Sequence, residues 1–307
     1  MKRLIIVTAV IVGIPFFVVH FLNVPEKNYK EIELKYLSNI FVRVKRSSGN
    51  IERVPLEEYV VGVVAGEMPV SFELEALKAQ SVASRSYVMR RLGGNGNYDV
   101  TDTVSNQVYL DDNELKEKWK DKYSQYISKV RQAVNETSME CLEYNGEIID
   151  AMFFSTSNGY TEKASLVFNI DLPYLQSVTS MWDSSTSSAF RSTKKISIDE
   201  FYSSLNLEYS NTLDFKVLRR SSTNRILNLS INGKEFTGKE VYDKLGLKSM
   251  DFSLKQDGNN IIIDTVGYGH GVGMSQYGAE GMALEGYSYK DILSHYYVGT
   301  SIKKIKN

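Results

Sequence analysis

The stretch Val54–Pro69, VPLEEYVVGVVAGEMP, places a single carboxylate at the end of an apolar helix. Pro55 suits the first turn of a helix, because an N–H at that position would have no partner. The pair Met68-Pro69 ends the helix, since the residue before a proline is disfavoured in the helical conformation. Glu67 is therefore the last residue before the break. The predicted inner side of the helix consists of Tyr59, Val60, Val63 and Val64.

Two interpretations of Glu67 follow from this pattern. A carboxyl group held against apolar neighbours loses hydration, so its pKa rises and it can donate a proton near neutral pH. The alternative is an ordinary surface glutamate near a helix end. Local sequence leaves both open, because it does not show how deeply the side chain is buried.

The flanking segments predict helices and short strands. Alternation in 41–44 and 51–54 around a Ser-Ser-Gly-Asn turn predicts a β-hairpin before the Glu67 helix. A second helix is expected from a Ser71 N-cap to about Leu92, and a third from about Glu114 to Thr137. Strands are predicted at 140–144, 147–154 and 174–178, and the first two are joined at Asn145-Gly146.

The remaining elements predict an inserted lobe. Residues 195–265 contain patterns for helices at 198–205 and 238–245 and for strands at 214–219, 226–231 and 261–264. Helices at 275–285 and 289–297 then return the chain to the first part. The predicted fold class is α+β: a mixed helix and sheet catalytic core of residues 41–194 and 266–307, with a smaller α+β lobe at 195–265.

The N-terminus predicts a membrane anchor. Lys2 and Arg3 precede Leu4–Leu22, which is close to the roughly 20 apolar residues of a spanning helix. We expect residues 1–22 to be a single-pass signal-anchor in the cell membrane, with a cytoplasmic N-terminus, a stalk at 23–40 and an extracytoplasmic catalytic domain. A cleaved signal peptide is the alternative, but no small-x-small cleavage pattern follows.

Composition excludes several classes of function. The net charge of −1 argues against a nucleic-acid binder that works through bulk charge. One cysteine allows no internal disulfide and no thiolate-rich zinc site, and the three histidines lack the spacing of a metal motif. No Gly-x-Ser-x-Gly elbow of a serine hydrolase is present.

Two further patterns could belong to a site. Lys78 and Arg85 are seven residues apart on the second predicted helix and share a face, either as cations that bind sugar oxygens or as a solvated stripe. The segment 267–273, GYGHGVG, matches neither nucleotide-binding template. Its glycines predict that the backbone of this segment packs closely against another group. His270 lies at the centre of the segment, and a helix N-terminus is expected at Ser275.

Nine segments in one order, spread over about residues 50 to 300, resemble the stage II sporulation protein D family. The His270 segment is the strongest match. The matching segments are LEEY (56–59), GEMP (66–69), EALKAQ (75–80), ASRSY (83–87), NQVY (106–109), STSNGYTE (155–162), PYLQSV (173–178), GHGVGMSQYG (269–278) and HYY (295–297).

The resemblance implies a membrane-anchored lytic transglycosylase that acts on peptidoglycan during forespore engulfment. Such an enzyme cuts the MurNAc–GlcNAc bond of peptide-stripped glycan strands and leaves 1,6-anhydro-MurNAc ends. The implied partners are an amidase/endopeptidase, stage II sporulation protein P, and a multipass membrane protein, stage II sporulation protein M. The family's catalytic acid falls on Glu67. Candidate substrate-binding residues are Lys78, Arg85, Asn158, Tyr174, His270, Ser275 and Gln276.

The sequence departs from some relatives in one respect. Those relatives bind zinc through Cys and His around the Ser155–Thr161 segment, which has neither residue here, so we expect no metal and no cofactor. A binding role remains the alternative to catalysis, because relatives include activators of cell-wall amidases. In that case the protein would bind glycan, or act as a scaffold, without cutting it.

Overall fold

The computed structural model describes residues 32–35, 39–94 and 96–306. The predicted anchor at 1–22 and most of the predicted stalk lie outside the described residues. Ile32–Asn307 forms one compact unit. Within the described ranges, no helix has the length and apolar character needed to cross a bilayer.

The first elements surround the Glu67 helix much as predicted. Strands β1 (Phe41–Lys45) and β2 (Ile51–Pro55) form the antiparallel hairpin, and β3 (Val100–Thr101) pairs parallel with β1. Helix α1 spans Leu56–Glu67 and α2 spans Leu74–Met89. The predicted Ser71 cap is wrong, because Glu73 is the N-cap and Phe72 N–H bonds to Pro69 O at 3.0 Å in a turn.

The third predicted helix is two helices in the structure. Helix α3 (Asp112–Trp119) begins with a capping box of Asp111 and Glu114, and α4 spans Tyr123–Glu136. A short 3₁₀ turn separates them, and Lys120 has a φ of 50° there. A left-handed residue cannot continue an α-helix, so the chain changes direction at this point.

The sheet predictions after α4 are partly wrong. Strands β4 (Glu140–Tyr144) and β5 (Glu147–Ile148) form the expected hairpin through Asn145-Gly146, both with positive φ. The strand expected at 147–154 breaks after Ile148 and resumes as β6 (Phe153–Phe154). The segment 174–178 is a turn and extended chain, followed by the short helix α6 (Asp183–Thr186); the short helix α5 (Ala164–Val167) precedes it.

Residues from Arg191 to Val266 form two three-stranded antiparallel sheets with two helices. One sheet has the strand order 234–237, 226–231, 215–220, and the other has the order 252–257, 260–266, 191–197. A separate apolar cluster fills this lobe and includes Phe201, Leu229 and Ile263. The boundaries 195–265 stay a prediction. The elements are β7 (Arg191–Ser197), α7 (Ile198–Ser204), β8 (Phe215–Arg220), β9 (Ile226–Ile231), β10 (Lys234–Thr237), α8 (Gly238–Leu245), β11 (Phe252–Asp257) and β12 (Asn260–Val266).

The C-terminal segment completes the first apolar cluster, which fills the rest of the described structure and includes Val60, Leu77 and Tyr296. Strand β13 (Met274–Ser275) pairs parallel with β6 and leads into α9 (Gln276–Leu284). Helix α10 (Tyr289–Tyr296) and strand β14 (Ser301–Lys304) follow, and β14 pairs with β4. Helix α2 is central, because it packs against α1, α4, α9, α10 and β4. The molecule is thus a mixed fold of helices and several small sheets, which confirms the α+β class in that form.

Candidate functional site

Glu67 is the last residue of α1, and its side chain is half-buried. Its Oε1 accepts a hydrogen bond from Val108 N–H at 2.6 Å, and the Gln276 side chain bonds to the same carboxyl group. Burial raises the pKa of Glu67, and the bonds from Val108 and Gln276 oppose that rise. The carboxyl group is therefore fixed in position and retains its proton more readily than a solvated glutamate.

Two glycines on one face of α1 bring Val108 to Glu67. A Cβ added to Gly62 would lie 2.4 Å from Leu110 O, and one added to Gly66 would lie 2.7 Å from Val108 O. The segment 106–110 can lie directly on the helix only because both side chains are absent. Sequence reasoning missed Val108, although the i, i+4 glycine pair in an apolar helix was a signal of close backbone approach.

Buried aromatic residues also hold the segment 106–110 in place. Tyr59 OH donates to Gln107 Oε1 at 3.0 Å, and the ring of Tyr59 stacks on Tyr109 with centroids 5.3 Å apart. Gln107 is fully buried, and its Nε2 has no hydrogen-bond partner among the described residues. These contacts hold the backbone on both sides of Val108, so the donor to Glu67 is fixed before any ligand arrives.

Gln276 joins Glu67 to two other helices. It is the first residue of α9, and its Nε2 lies 3.4 Å from Gln80 Oε1 on α2. Gln80 Nε2 in turn donates to Ser84 Oγ at 2.9 Å. The structure therefore brings together Glu67 and Gln276, which are 209 residues apart in sequence and were both predicted to belong to the site.

Ser275 is buried behind this contact. Its Oγ donates to the Asp183 carboxylate and accepts from Gly278 N–H at 3.3 Å, so it caps α9. Burial raises the pKa of Asp183, while hydrogen bonds from Ser180, Ser275 and Ser157 oppose that rise. Ser275 thus fixes the start of α9, and with it the backbone from which Gln276 extends.

The backbone of the His270 segment packs closely against other parts of the same chain. A Cβ on Gly273 would lie 2.0 Å from Met152 O, and one on Gly271 would lie 2.6 Å from the Arg225 guanidinium. His270 Nδ1 accepts from Val272 N–H at 3.0 Å. Burial lowers the pKa of His270 to about 4, so the ring is neutral at physiological pH. The predicted close approach of this backbone is therefore found, against β6 and the lobe.

Lys78 and Arg85 are engaged in ion pairs inside the protein. Lys78 Nζ lies 2.6 Å from Glu75 Oε1 and 2.5 Å from Glu136 Oε2. Arg85 is fully buried and makes a bidentate pair with Glu57, with Nη2 to Oε2 at 2.6 Å. The expected open basic face is not formed, so this arrangement gives no support to a glycan-binding role for either residue.

Asn158 and Tyr174 also bond within the molecule. Asn158 Nδ2 donates to Thr223 O at 2.7 Å and to Asp251 Oδ2 at 2.8 Å, which links the first part of the chain to the lobe. Tyr174 OH accepts from Asp150 N–H at 3.1 Å. Substrate contacts for these two residues, and for His270 and Ser275, stay predictions.

Other candidate sites among the described residues are three cavities, the metal-ligating residue types and Cys141. Cavities of about 450, 360 and 590 Å³ are present, and Glu67 lines none of these three. In the ranges that the structure describes, no group of three or more His, Cys, Asp or Glu residues is placed to hold a metal ion. Burial raises the pKa of the Cys141 thiol to about 11, so this cysteine is an inert core residue.

The fold and site define a mixed α/β protein in which the half-buried Glu67 is held by a loop that packs on two helix glycines. A family model described as "Stage II sporulation protein" matches residues 45–144, which include Glu67 and Val108. Stage II sporulation protein D of Bacillus amyloliquefaciens is 42% identical over 276 residues, covering 87% of this chain and 80% of that protein. Its counterpart in Bacillus subtilis strain 168 is 41% identical over 283 residues, covering 90% and 82%.

The chain therefore belongs to the stage II sporulation protein D family. It is also 31% identical over 297 residues to a protein named amidase enhancer from Bacillus subtilis strain 168. That match covers 78% of this chain and 40% of the amidase enhancer.

Proposed function

We propose that this protein is a lytic transglycosylase that cleaves the MurNAc–GlcNAc bond of peptide-stripped peptidoglycan during forespore engulfment. The observation that carries the proposal is the half-buried Glu67 carboxyl group, whose pKa is raised by burial and whose position is fixed by Val108 and Gln276. Family membership supports a role in sporulation, and the amidase enhancer relative supports a link to the cell wall.

One carboxyl group is sufficient for this reaction. Protonated Glu67 donates its proton to the glycosidic oxygen as the bond from that oxygen to C1 of MurNAc breaks. The Glu67 carboxylate then accepts the proton of the MurNAc C6 hydroxyl, whose oxygen forms the new bond to C1. Glu67 ends protonated, and no water is consumed. The nucleophile belongs to the substrate and has a high effective molarity, so the second carboxylate of ordinary glycosidases is not required.

The uncharged neighbours of Glu67 suit both steps. The N–H of Val108 and the amide of Gln276 stabilise the carboxylate that forms after proton donation, while burial favours the protonated form before it. Opposed effects of this kind keep the two protonation states of a general acid/base close in free energy.

The cellular context forms part of the same proposal. Residues 1–22 would anchor the protein in the cell membrane with a cytoplasmic N-terminus, and the domain from Ile32 onward would act outside the membrane. Stage II sporulation proteins P and M would be its partners, with the amidase supplying peptide-stripped strands. No cofactor takes part in the proposed chemistry.

The amidase enhancer relative supports a second candidate function. In that case the protein binds glycan and activates an amidase without breaking a glycosidic bond. The two candidates differ in the role of Glu67, since only the first needs a proton donor at this position.

The test compares wild type with Glu67→Gln on sacculi stripped of peptides by an amidase. Wild type should release products ending in 1,6-anhydro-MurNAc, and E67Q should lose on the order of 10²- to 10⁴-fold in rate. The wild-type kcat/KM should fall as pH rises through the raised pKa, because only the protonated acid donates. Mass spectrometry of the product termini measures the outcome.

Glu58→Gln is the matched control, because Glu58 is an exposed carboxylate on the same helix. E58Q should retain wild-type activity. Undiminished release of anhydro products by E67Q would refute the catalytic assignment. Wild type that binds glycan and accelerates the amidase but releases no anhydro product would establish the second candidate.

A further inference from the structure

The C-terminal end of α1 receives its positive charges from other helices. The last turn of α1 has no basic residue, although its carbonyl oxygens carry partial negative charge. Lys118 of α3 donates from Nζ to Ala65 O at 3.0 Å. Lys129 of α4 donates to Phe72 O, and its Nζ lies 3.5 Å from Ser71 O. Lys118 thus contacts the last turn of α1, and Lys129 contacts the turn that follows the helix.

Only one of these lysines is free for a ligand. Lys129 is half-buried, and its charge acts on the nearby Glu280 carboxyl group. Lys118 is exposed, and within the described ranges no carboxylate oxygen lies within 4.0 Å of its Nζ. The residue as a whole is exposed, but its ammonium group is partly buried beside Ala65 O, and this partial burial lowers the pKa of Lys118 with no anion to offset the effect. An ammonium group has three donors, and Ala65 O uses one of them.

Lys118 lies at the same end of the helix as Glu67. Ala65 and Glu67 are two residues apart on α1, which corresponds to a rise of about 3 Å along the helix axis. The two residues are also separated by about 200° around the helix axis, so a glycan would need to bind across the C-terminal end of α1 to place its glycosidic oxygen at Glu67 and its ring substituents toward the Lys118 ammonium group. The ligand expected beside an unpaired ammonium group is an anion.

The next step rests on the proposed function. A strand of GlcNAc and MurNAc is neutral except at the 3-O-lactyl group of MurNAc, whose carboxyl group is free only where the stem peptide has been removed. We propose that Lys118 binds this lactyl carboxylate and thereby makes the site selective for peptide-stripped glycan. Lys118 is a specificity residue here, and the proton transfers remain those of Glu67.

The experiment uses the full-length protein in detergent and two forms of one substrate. The first is peptide-stripped glycan, and the second is the same glycan with its muramic carboxyl groups reduced to alcohols. Wild type should prefer the carboxylate form by roughly two- to fivefold in kcat/KM, mainly through KM, as expected for one partly exposed ion pair. Lys118→Gln should abolish this preference, and Lys118→Arg should retain it.

The ratio of the two substrates separates binding from stability. Loss of the bond to Ala65 O in K118Q would affect both substrates equally, so it leaves the ratio unchanged. Lys122→Gln is the control, because Lys122 is an exposed lysine in the turn that follows α3. Equal wild-type rates on both substrates, or a K118Q variant that keeps the preference, would overturn the proposal.

Failure of the proposed function has a different signature. In that case wild type releases no anhydro product from either substrate. The affinities of wild type and K118Q for the two glycans then decide the inference by themselves. Tighter binding of the carboxylate form by wild type, lost in K118Q, supports the role of Lys118, and equal affinities refute it.

Discussion

Opposing effects act on the pKa of the Glu67 carboxyl group. Burial raises its pKa, and its position at the C-terminal end of α1 places it near the negative end of the helix dipole, which disfavours a second negative charge. Val108 and Gln276 donate hydrogen bonds that favour the ionised form. The reactivity of this residue therefore depends on uncharged neighbours from two distant segments.

A second titratable residue makes the protein sensitive to acid. Burial lowers the pKa of His270 to about 4 in the folded protein, whereas a free histidine side chain has a pKa of 6.5. Below pH 6.5 the unfolded chain binds a proton that the folded protein does not bind, so stability falls as pH falls from about 6.5 toward 4. At about 1.4 kcal/mol per pKa unit, this loss is at most roughly 3 kcal/mol.

Urea unfolding of wild type and His270→Gln between pH 7 and about 4 measures this contribution. The variant should lose less stability than wild type over that range, because glutamine does not titrate and can still accept from Val272 N–H. Other groups titrate equally in both proteins, so the difference isolates His270. His295→Gln serves as the control, because it removes a histidine that is partly exposed on α10. Parallel pH profiles for wild type and H270Q would contradict the prediction.

Sequence predicted Glu67 and Gln276 as site residues but not the donor Val108, for a physical reason. The break after Glu67 is encoded locally by Met68-Pro69, whereas the bond to Val108 joins residues 41 positions apart. Helical phase correctly placed Lys78 and Arg85 on one helix. It did not show whether their face meets solvent or carboxylates of α1 and α4, because that depends on packing between helices.

At the scale of secondary-structure elements, Arg85 holds three of them together. Its guanidinium group pairs with Glu57 on α1 and donates to Glu140 O on β4 at 3.0 Å. Glu57 also accepts from Met139 N–H at 3.1 Å. Both charges are almost fully excluded from solvent, so neither can lose its partner without leaving a buried charge.

Arg85→Ala should therefore destabilise the protein by about 3–5 kcal/mol, because it leaves the Glu57 carboxylate buried and unpaired. Urea unfolding at neutral pH measures the change. The control is Arg90→Ala, whose exposed pair with Glu147 should contribute at most about 1 kcal/mol. If R85A kept wild-type stability and lost only activity, the glycan-binding role predicted from sequence would regain support.

The elements that sequence misjudged share a cause. Strand β7, RSTKKIS, shows no apolar alternation, because most of its side chains are exposed and only Ile196 is buried. It is a strand because β12 supplies a backbone partner along its whole length. The separation of α3 from α4 likewise depends on the left-handed Lys120, a residue type with no preference for that conformation. Patterns of side chains do not reveal structure that the backbone of another segment imposes.

At the scale of the whole molecule, a buried polar junction connects the lobe to the first part of the chain. Arg225 Nη2 donates to Tyr160 O at 3.0 Å, and Thr223 Oγ1 donates to the Glu162 carboxylate. Glu162 N–H bonds to Gly271 O at 2.7 Å, which ties the junction to the His270 segment. The two apolar clusters are thus separate, but hydrogen-bonded side chains fill the space between these segments.

This junction predicts that residues 32–307 unfold in one cooperative transition. Neither apolar cluster can separate from the other without leaving buried polar groups unpaired.

Asn158→Ala removes the donors to Thr223 O and Asp251 and should lower the free energy of unfolding by about 1–3 kcal/mol. Calorimetry of the protein tests both statements, with Asn211→Ala in an exposed loop of the lobe as the control. Two separate wild-type transitions would show that lobe and core fold independently. An N158A variant with wild-type stability but impaired glycan cleavage would instead indicate that Asn158 binds the substrate, as predicted from the sequence.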